Sequence, residues 1–197
     1  MNENSLRPRT LAVILMIVSA AFVRFLPSSN LFGIFSNFTP IGAMALFGGC
    51  YFKDQFKAYL VPILALFLSD LLINRLFYYD HWILFYPGAA WVYAGFALTV
   101  MLGHLVRKVS VANVGVAAIG AATLHWLISD FGTWASGFTN ITTGRPFEPT
   151  FEGLMQCYAL GFPFYVNMVL GNLFFSLVLF GGFEWLQRRY PKLSLAA

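Results

Sequence analysis

Long runs of apolar residues constrain the fold of this chain more than any other feature. A helix that crosses a bilayer needs about 20 mostly apolar residues, with about 17 as the usual minimum. Six segments are candidates, the second being the weakest because it is short and contains three glycines: residues 11–26, 38–52, 56–73, 83–106, 111–129 and 159–183. We therefore predict an all-α membrane protein, a six-transmembrane-helix bundle that forms a single integral membrane domain over residues 1–197.

The overall composition supports a membrane environment. Hydrophobic residues make up 59% of the 197 residues and charged residues only 10%, whereas soluble domains contain about 45–50% apolar and about 25% charged residues. A soluble domain of this length could not keep so much apolar surface away from water. The sequence therefore predicts a multi-pass protein of the bacterial inner membrane, with the lipid bilayer as its main partner.

The basic residues indicate the orientation of the bundle. With a cytoplasmic N-terminus, three of them would be outside (Arg24, Arg75 and Arg145) and nine inside: Arg7, Arg9, Lys53, Lys57, Arg107, Lys108, Arg188, Arg189 and Lys192. Short loops rich in Lys and Arg remain in the cytoplasm, so we predict that both termini are cytoplasmic. The net charge of +4 does not predict nucleic-acid binding, because the basic residues form no single stripe. A cleavable signal peptide ending near Ala20 is an alternative for the first segment.

The last outer connection is predicted to contain a short extra helix. Pro163 is expected to kink or start the sixth helix, which leaves residues 150–158 as a separate re-entrant or interfacial helix. Thr150 is a suitable N-cap for it, and Glu152 supplies an acidic residue in its first turn.

Acidic residues mark the outer ends of two apolar helices, where Asp70 and Asp130 each follow a serine. A charged side chain at the centre of a membrane helix costs about 2.5–3.5 kcal/mol on insertion scales, so such residues tend to face a cavity or a partner. Arg24 can snorkel to the interface, but we expect it to pair with Asp70 or Asp130.

The outer connections are long and rich in aromatic rings and polar groups, which is typical of a small-molecule pocket. An aromatic belt at the membrane surface is the simpler explanation for each ring taken alone. His125 is explained equally simply as a core histidine and Cys157 as a buried cysteine, although a thiolate could ligate the metal of a corrinoid. The predicted substrate-binding residues are Asn37, Asp70, Asn74, Trp82, His125, Asp130, Trp134, Asn140, Arg145 and Cys157.

Known catalytic signatures do not occur in the sequence. It contains no HExxH, GxSxG, Walker A or CxxC pattern, so we predict no enzyme activity, no catalytic residue, no bound cofactor and no metal site. Because the chain has no ATP-binding motif, active uptake would need separate partners.

Several motifs resemble a bacterial family of unknown function whose members are usually described as transport proteins. They are NFTPIGAMALFGG (37–49), SDLLIN (69–74), WVYAGFAL (91–98), PTFEGLMQCYALGFPFYVN (149–167) and GNLFFSLVLFG (171–181). In layout the chain also distantly resembles the S components of energy-coupling-factor (ECF) vitamin transporters, which capture a micronutrient at the outer face. That resemblance implies a coupling transmembrane subunit and ATPases as partners, although the small-residue contact of the first helix is interrupted here at Met16.

The resemblance implies that the protein binds a vitamin-like micronutrient at the outer face for uptake, with cobalamin or a related corrinoid as one candidate solute. Two other functions stay open at this point. One is a non-catalytic scaffold or assembly protein of the cell envelope, and the other is a lipid-modifying membrane enzyme that uses Asp70, His125 or Asp130 as acid or base.

Overall fold

The computed structural model describes residues 36–190, together with Leu11, Leu15, Val18, Phe22, Val23 and Arg24. Within this part of the chain the regular elements are five α-helices: α1 (Ile41–Tyr51), α2 (Gln55–Ile73), α3 (Ala89–Leu105), α4 (Val111–Ala135) and α5 (Phe151–Arg189). A π-helical turn, Asn74–Tyr78, follows α2 directly. Of the first predicted span, the five described residues from Leu11 to Val23 are helical and Arg24 lies in a turn, whereas its other residues lie outside the described part of the chain, as do Arg7, Arg9 and Lys192.

Three of these helical segments are long and apolar enough to cross a bilayer, namely Gln55–Tyr78, Val111–Ala135 and Phe151–Arg189. They identify an all-helical membrane protein. Two predicted spans are shorter than expected: α1 has 11 residues and α3 has 17. At 1.5 Å per residue they measure about 17 Å and about 26 Å, less than the roughly 30 Å of hydrocarbon core.

The two short helices start late for local reasons. Pro40 occupies the N-cap position of α1, and a proline cannot continue a helix toward its own N-terminal side. α3 starts after Gly88, whose φ of 84° lies in the left-handed region that favours glycine. The predicted starts at residues 38 and 83 are therefore wrong by three and six residues.

Beyond its first turn, α2 exposes an apolar face. Residues four apart along the helix and the π-helical turn are 41–70% exposed: Phe56, Leu60, Leu64, Leu68, Leu72 and Leu76. The polar side chains Ser69 and Asp70 of the same helix are buried. This arrangement is the reverse of a soluble helix, and it is stable only when lipid rather than water covers the outer face.

Successive long helices are antiparallel, so their ends gather at two ends of the bundle. Contacts that establish this join Trp91 to Phe131, Phe96 to His125, Cys157 to Asp130 and Asn172 to Ala118. We call one end the Asp70 end, which holds the C-terminal ends of α2 and α4. The other is the Glu184 end, which holds the C-terminal ends of α1, α3 and α5.

The short helix α1 lies at the centre of the bundle. Every residue from Ile41 to Gly49 is buried, and α1 packs against all four other helices. Glycines permit the closest of these contacts, because a Cβ atom at Gly103 of α3 would lie 2.5 Å from the Leu46 carbonyl oxygen and 3.0 Å from the Gly49 Cα. The backbones of α1 and α3 therefore touch directly, as is common between membrane helices.

The predicted break before the last span is wrong, because α5 is one continuous helix of 39 residues with Pro163 in its interior. Thr150 does cap it as predicted, since its Oγ1 accepts a hydrogen bond of 3.1 Å from the Gly153 N–H. Packing on α4 holds both sides of the proline: the Tyr158 hydroxyl donates to the Leu127 carbonyl (2.9 Å) and Tyr165 stacks on Trp126. Membrane helices tolerate an internal proline when neighbouring groups stabilise the helix on either side.

The contact between α1 and α3 can be tested with Gly103→Ala. The added methyl group has no room between two backbones, so we expect a loss of about 1–3 kcal/mol in the free energy of unfolding, measured by thermal unfolding in detergent. Gly120→Ala is the control, because nothing lies within 4 Å of a Cβ atom there. Equal stability of the two variants would contradict the close crossing.

Candidate functional site

The end of α2 places polar side chains on one face at intervals of four residues. Asp70 and Asn74 are buried, and Tyr78 follows one turn later in the π-helical segment. The Tyr79 N–H donates to the Asn74 carbonyl five residues back (2.7 Å), which defines the wider π-helical turn. Such turns occur frequently at functional sites.

A buried ion pair is the centre of this region. Arg24 Nη2 lies 2.5 Å from Asp70 Oδ1, and the two side chains are 17% and 5% exposed. The Tyr93 hydroxyl donates to the other carboxylate oxygen at 3.1 Å, and Arg24 Nη1 donates to Ser69 Oγ. The predicted pairing of Arg24 with one of the two aspartates is confirmed, with Asp70 as its partner. Each buried charge needs such partners, because an unpaired one costs several kcal/mol.

Beside the ion pair lies a cavity of about 450 Å³. Its walls come from the N-terminal segment, the stretch before α1, the end of α2, the π-helical turn and the connection to α3. The lining residues are Arg24, Ser36, Asn37, Thr39, Asp70, Ile73, Asn74, Tyr78, Tyr79 and Tyr86. Among the described lining residues, one cation and one anion pair with each other, so these side chains contribute no net charge.

Non-helical backbone forms one wall of this cavity. The Asn37 backbone has a φ of 66°, a left-handed conformation that asparagine adopts more readily than most residues. Asn167 Nδ2 of α5 donates to the Ser36 carbonyl at 2.9 Å, and the absent side chain of Gly171 gives room for Thr39. Irregular backbone at membrane depth is tolerated only where protein buries it or where it lines a cavity. Both conditions apply here.

The cavity presents hydrogen-bond donors without partners. Asn74 is 7% exposed, and among the described residues its Nδ2 has no acceptor. Burial raises the pKa of the Tyr86 phenol and the nearby Asp70 carboxylate raises it further, so its hydroxyl stays protonated at neutral pH and can donate. A buried donor without an acceptor costs about 1–3 kcal/mol, which favours a bound molecule that supplies acceptors.

Asp130 and Cys157 form a separate cluster between α4 and α5. The Cys157 thiol donates to the Asp130 carbonyl at 3.3 Å. The Asp130 carboxylate and the Trp126 indole N–H both lie against the bare Cα of Gly161, where any side chain would collide with the carboxylate. Asp130 and Cys157 were both predicted to bind the substrate. Neither residue lines the cavity that Asp70 lines.

His125 is a core residue in the described structure. It is 6% exposed and packs on Phe96 with ring centroids 4.3 Å apart. Gly95 provides the space for its imidazole, which does not line the cavity.

The remaining predicted residues are exposed on the protein surface or stabilise a loop. The Trp134 indole donates to the Glu148 carbonyl at 2.8 Å. Asn140 is buried and its side chain accepts from the Thr142 N–H, while Arg145 is exposed and its carbonyl accepts from the Asn140 N–H. Trp82 is 59% exposed. The structure thus brings together three of the ten predicted residues, Asn37, Asp70 and Asn74.

Comparisons with known proteins identify the family of this chain. The chain belongs to the family of unknown function DUF6580, a sequence model of which matches residues 4–193. Comparison with curated proteins gave no match, and comparison with solved structures gave none either. The family carries no assigned activity, so the function of this DUF6580 protein has to be argued from its cavity.

Sequence reasoning missed several residues of the DUF6580 protein that line the cavity or contact Asp70. Tyr78 follows Asp70 and Asn74 at the same four-residue interval, so helical periodicity could have identified it. Tyr86 and Thr39 lie in non-helical segments, and Tyr93 reaches Asp70 from another helix. No local pattern in the sequence indicates those three contacts.

The ion pair predicts a specific loss of stability. We expect Asp70→Asn to lower the free energy of unfolding by about 3 kcal/mol, because it leaves the Arg24 guanidinium buried without its counter-ion. Thermal unfolding in detergent measures the change. Asp80→Asn is the control, since that carboxylate is 97% exposed, and it is expected to change stability by no more than about 0.5 kcal/mol. An Asp70→Asn variant as stable as this control would contradict a buried pair.

Proposed function

We propose that this protein is a non-enzymatic, solute-binding transport protein of the bacterial inner membrane. It binds a small vitamin-like molecule in the cavity beside Arg24 and Asp70, in the manner of an S component. The observation that carries the proposal is a cavity of about 450 Å³ inside a bundle of membrane helices, with a buried ion pair and an unpaired Asn74 amide in its wall. Pockets for small molecules have volumes of about 300–1,000 Å³ and few, convergent polar groups.

The proposal includes an orientation in the membrane. The chain crosses six times, both termini are cytoplasmic, and the Asp70 end faces the outside. The basic residues support it. Six of them belong to the Glu184 end: Lys53, Lys57, Arg107, Lys108, Arg188 and Arg189. Of the basic residues that the structure describes, only Arg24, Arg75 and Arg145 belong to the Asp70 end, and Arg24 is neutralised by Asp70. An excess of Lys and Arg in short connections marks the cytoplasmic side.

The chemistry of the cavity restricts the solute. Arg24 and Asp70 neutralise each other, and both carboxylate oxygens of Asp70 already have partners. Among the groups that the walls still offer are the side chains of Asn37, Asn74 and Tyr86 and the tyrosine rings. A neutral or zwitterionic ring compound with carbonyl acceptors fits this arrangement. The volume favours a micronutrient of one or two rings over a corrinoid, whose macrocycle carries many side chains.

Energised uptake by such a protein would use partners. Because the chain has no ATP-binding motif, a coupling transmembrane subunit with its ATPases would drive the release of the solute to the cytoplasm. This part of the proposal rests on the distant resemblance of the sequence layout to S components.

Cysteine labelling tests the orientation. We expect a membrane-impermeant maleimide to modify His81→Cys in intact cells whose outer membrane has been permeabilised, and Lys108→Cys only after the inner membrane is broken. The unsubstituted protein is the control, because Cys157 is buried and Cys50 half-buried. The opposite labelling pattern would place the cavity on the cytoplasmic side.

Solute retention tests the site. We expect the purified protein to release a small molecule on denaturation, detected by mass spectrometry, and Asn74→Leu to retain about tenfold less of it, because a donor to the solute is lost. Asn113→Leu, which alters an exposed amide far from the cavity, should retain as much as the unsubstituted protein. Equal retention by both variants, or no specific molecule at all, would reject this site.

A further inference from the structure

A second cavity, of about 530 Å³, lies between α4 and α5 toward the Glu184 end. At the Asp70 end the same two helices are in direct contact, with Trp126 stacked on Tyr165 at 4.8 Å. Glycines keep the other end open: Gly115 and Gly181 both line the cavity, and a Cβ atom at either position would have no neighbour within 4 Å. The result is a groove rather than a packed interface.

The groove changes character along its length. Its lining includes the apolar side chains of Val114, Leu173 and Leu177, and its end toward the C-terminus of α5, which we call the mouth, includes Trp185 and Arg188. From residue 173 to residue 188, α5 rises about 22 Å, more than the roughly 15 Å of one leaflet's hydrocarbon. Tryptophan and arginine at a helix end mark the depth of the lipid headgroups. The apolar part of the groove therefore lies at the depth of the acyl chains.

The size and the lining of the groove suit a single hydrocarbon chain. Its volume is about 530 Å³, and most of its lining side chains are apolar.

We propose that this groove is a binding site for an anionic phospholipid, with one acyl chain between Gly115 and Gly181 and the phosphate on Arg188. Charge at the mouth supports an anionic headgroup. The Glu184 carboxylate accepts a hydrogen bond from the Tyr51 hydroxyl (2.5 Å) and so turns toward α1, whereas Arg188 is exposed at the rim. A guanidinium binds phosphate through parallel hydrogen bonds. This site is independent of the solute cavity.

Filling the groove tests the acyl-chain site. The protein is purified in detergent with equal amounts of phosphatidylglycerol and phosphatidylcholine, and native mass spectrometry counts the bound lipid. Gly181→Leu and Gly115→Leu place a side chain in open space, so both should fold and lose bound phospholipid at least tenfold. Gly120→Leu is the matched control, since it adds the same side chain to α4 in open space outside the groove, and it should retain the lipid.

Replacement of Arg188 tests whether the groove prefers an anionic headgroup. Arg188→Gln should keep the acyl chain but lose the preference for phosphatidylglycerol, whereas Arg189→Gln, which does not line the groove, should keep it. Equal lipid retention in Gly181→Leu and Gly120→Leu would overturn the site. So would an equal affinity of the unsubstituted protein for both lipids, or a dimer that Gly181→Leu dissolves.

Discussion

The placement of a carboxylate inside an apolar bundle is the constraint on which the rest of this structure depends. Asp70 lies on the inner face of a helix whose outer face is covered by leucines, and its side chain is only 5% exposed. Its stability rests on the Arg24 guanidinium and the Tyr93 hydroxyl, and therefore on residues from the N-terminal segment and α3. The same contacts hold these elements around the cavity at that end of the bundle.

The two cavities differ in chemistry because different kinds of residue line them. Where polar groups are buried together, as at Asp70 and Asn74, they leave a polar cavity whose donors need a partner. Where glycines line the space between two apolar helices, as at Gly115 and Gly181, they leave a groove whose lining is mostly apolar. The first property supports our proposal of a solute site, and the second our proposal of a lipid site.

The sequence predicted the helical membrane class and the Arg24 ion pair well, and the composition of the site only partly. Periodicity and charge predict how deep in the membrane a residue lies, and they predict the same depth for Asp70 and Asp130. They do not fix the rotation of each helix, which turns Asp130 toward Gly161 and His125 toward Phe96. Pro163 does not break or start a helix as predicted. Tyr158 before it and Tyr165 after it both contact α4, and these contacts keep α5 continuous.

A double-mutant cycle on Arg24 and Asp70 tests the central claim most directly. The free energy of unfolding in detergent is measured for the unsubstituted protein, Arg24→Met, Asp70→Leu and the double variant. A buried pair predicts a coupling energy of about 2 kcal/mol or more, with the double variant more stable than either single one, because neither charge is then left alone. Single effects that add to within about 0.5 kcal/mol would contradict the account.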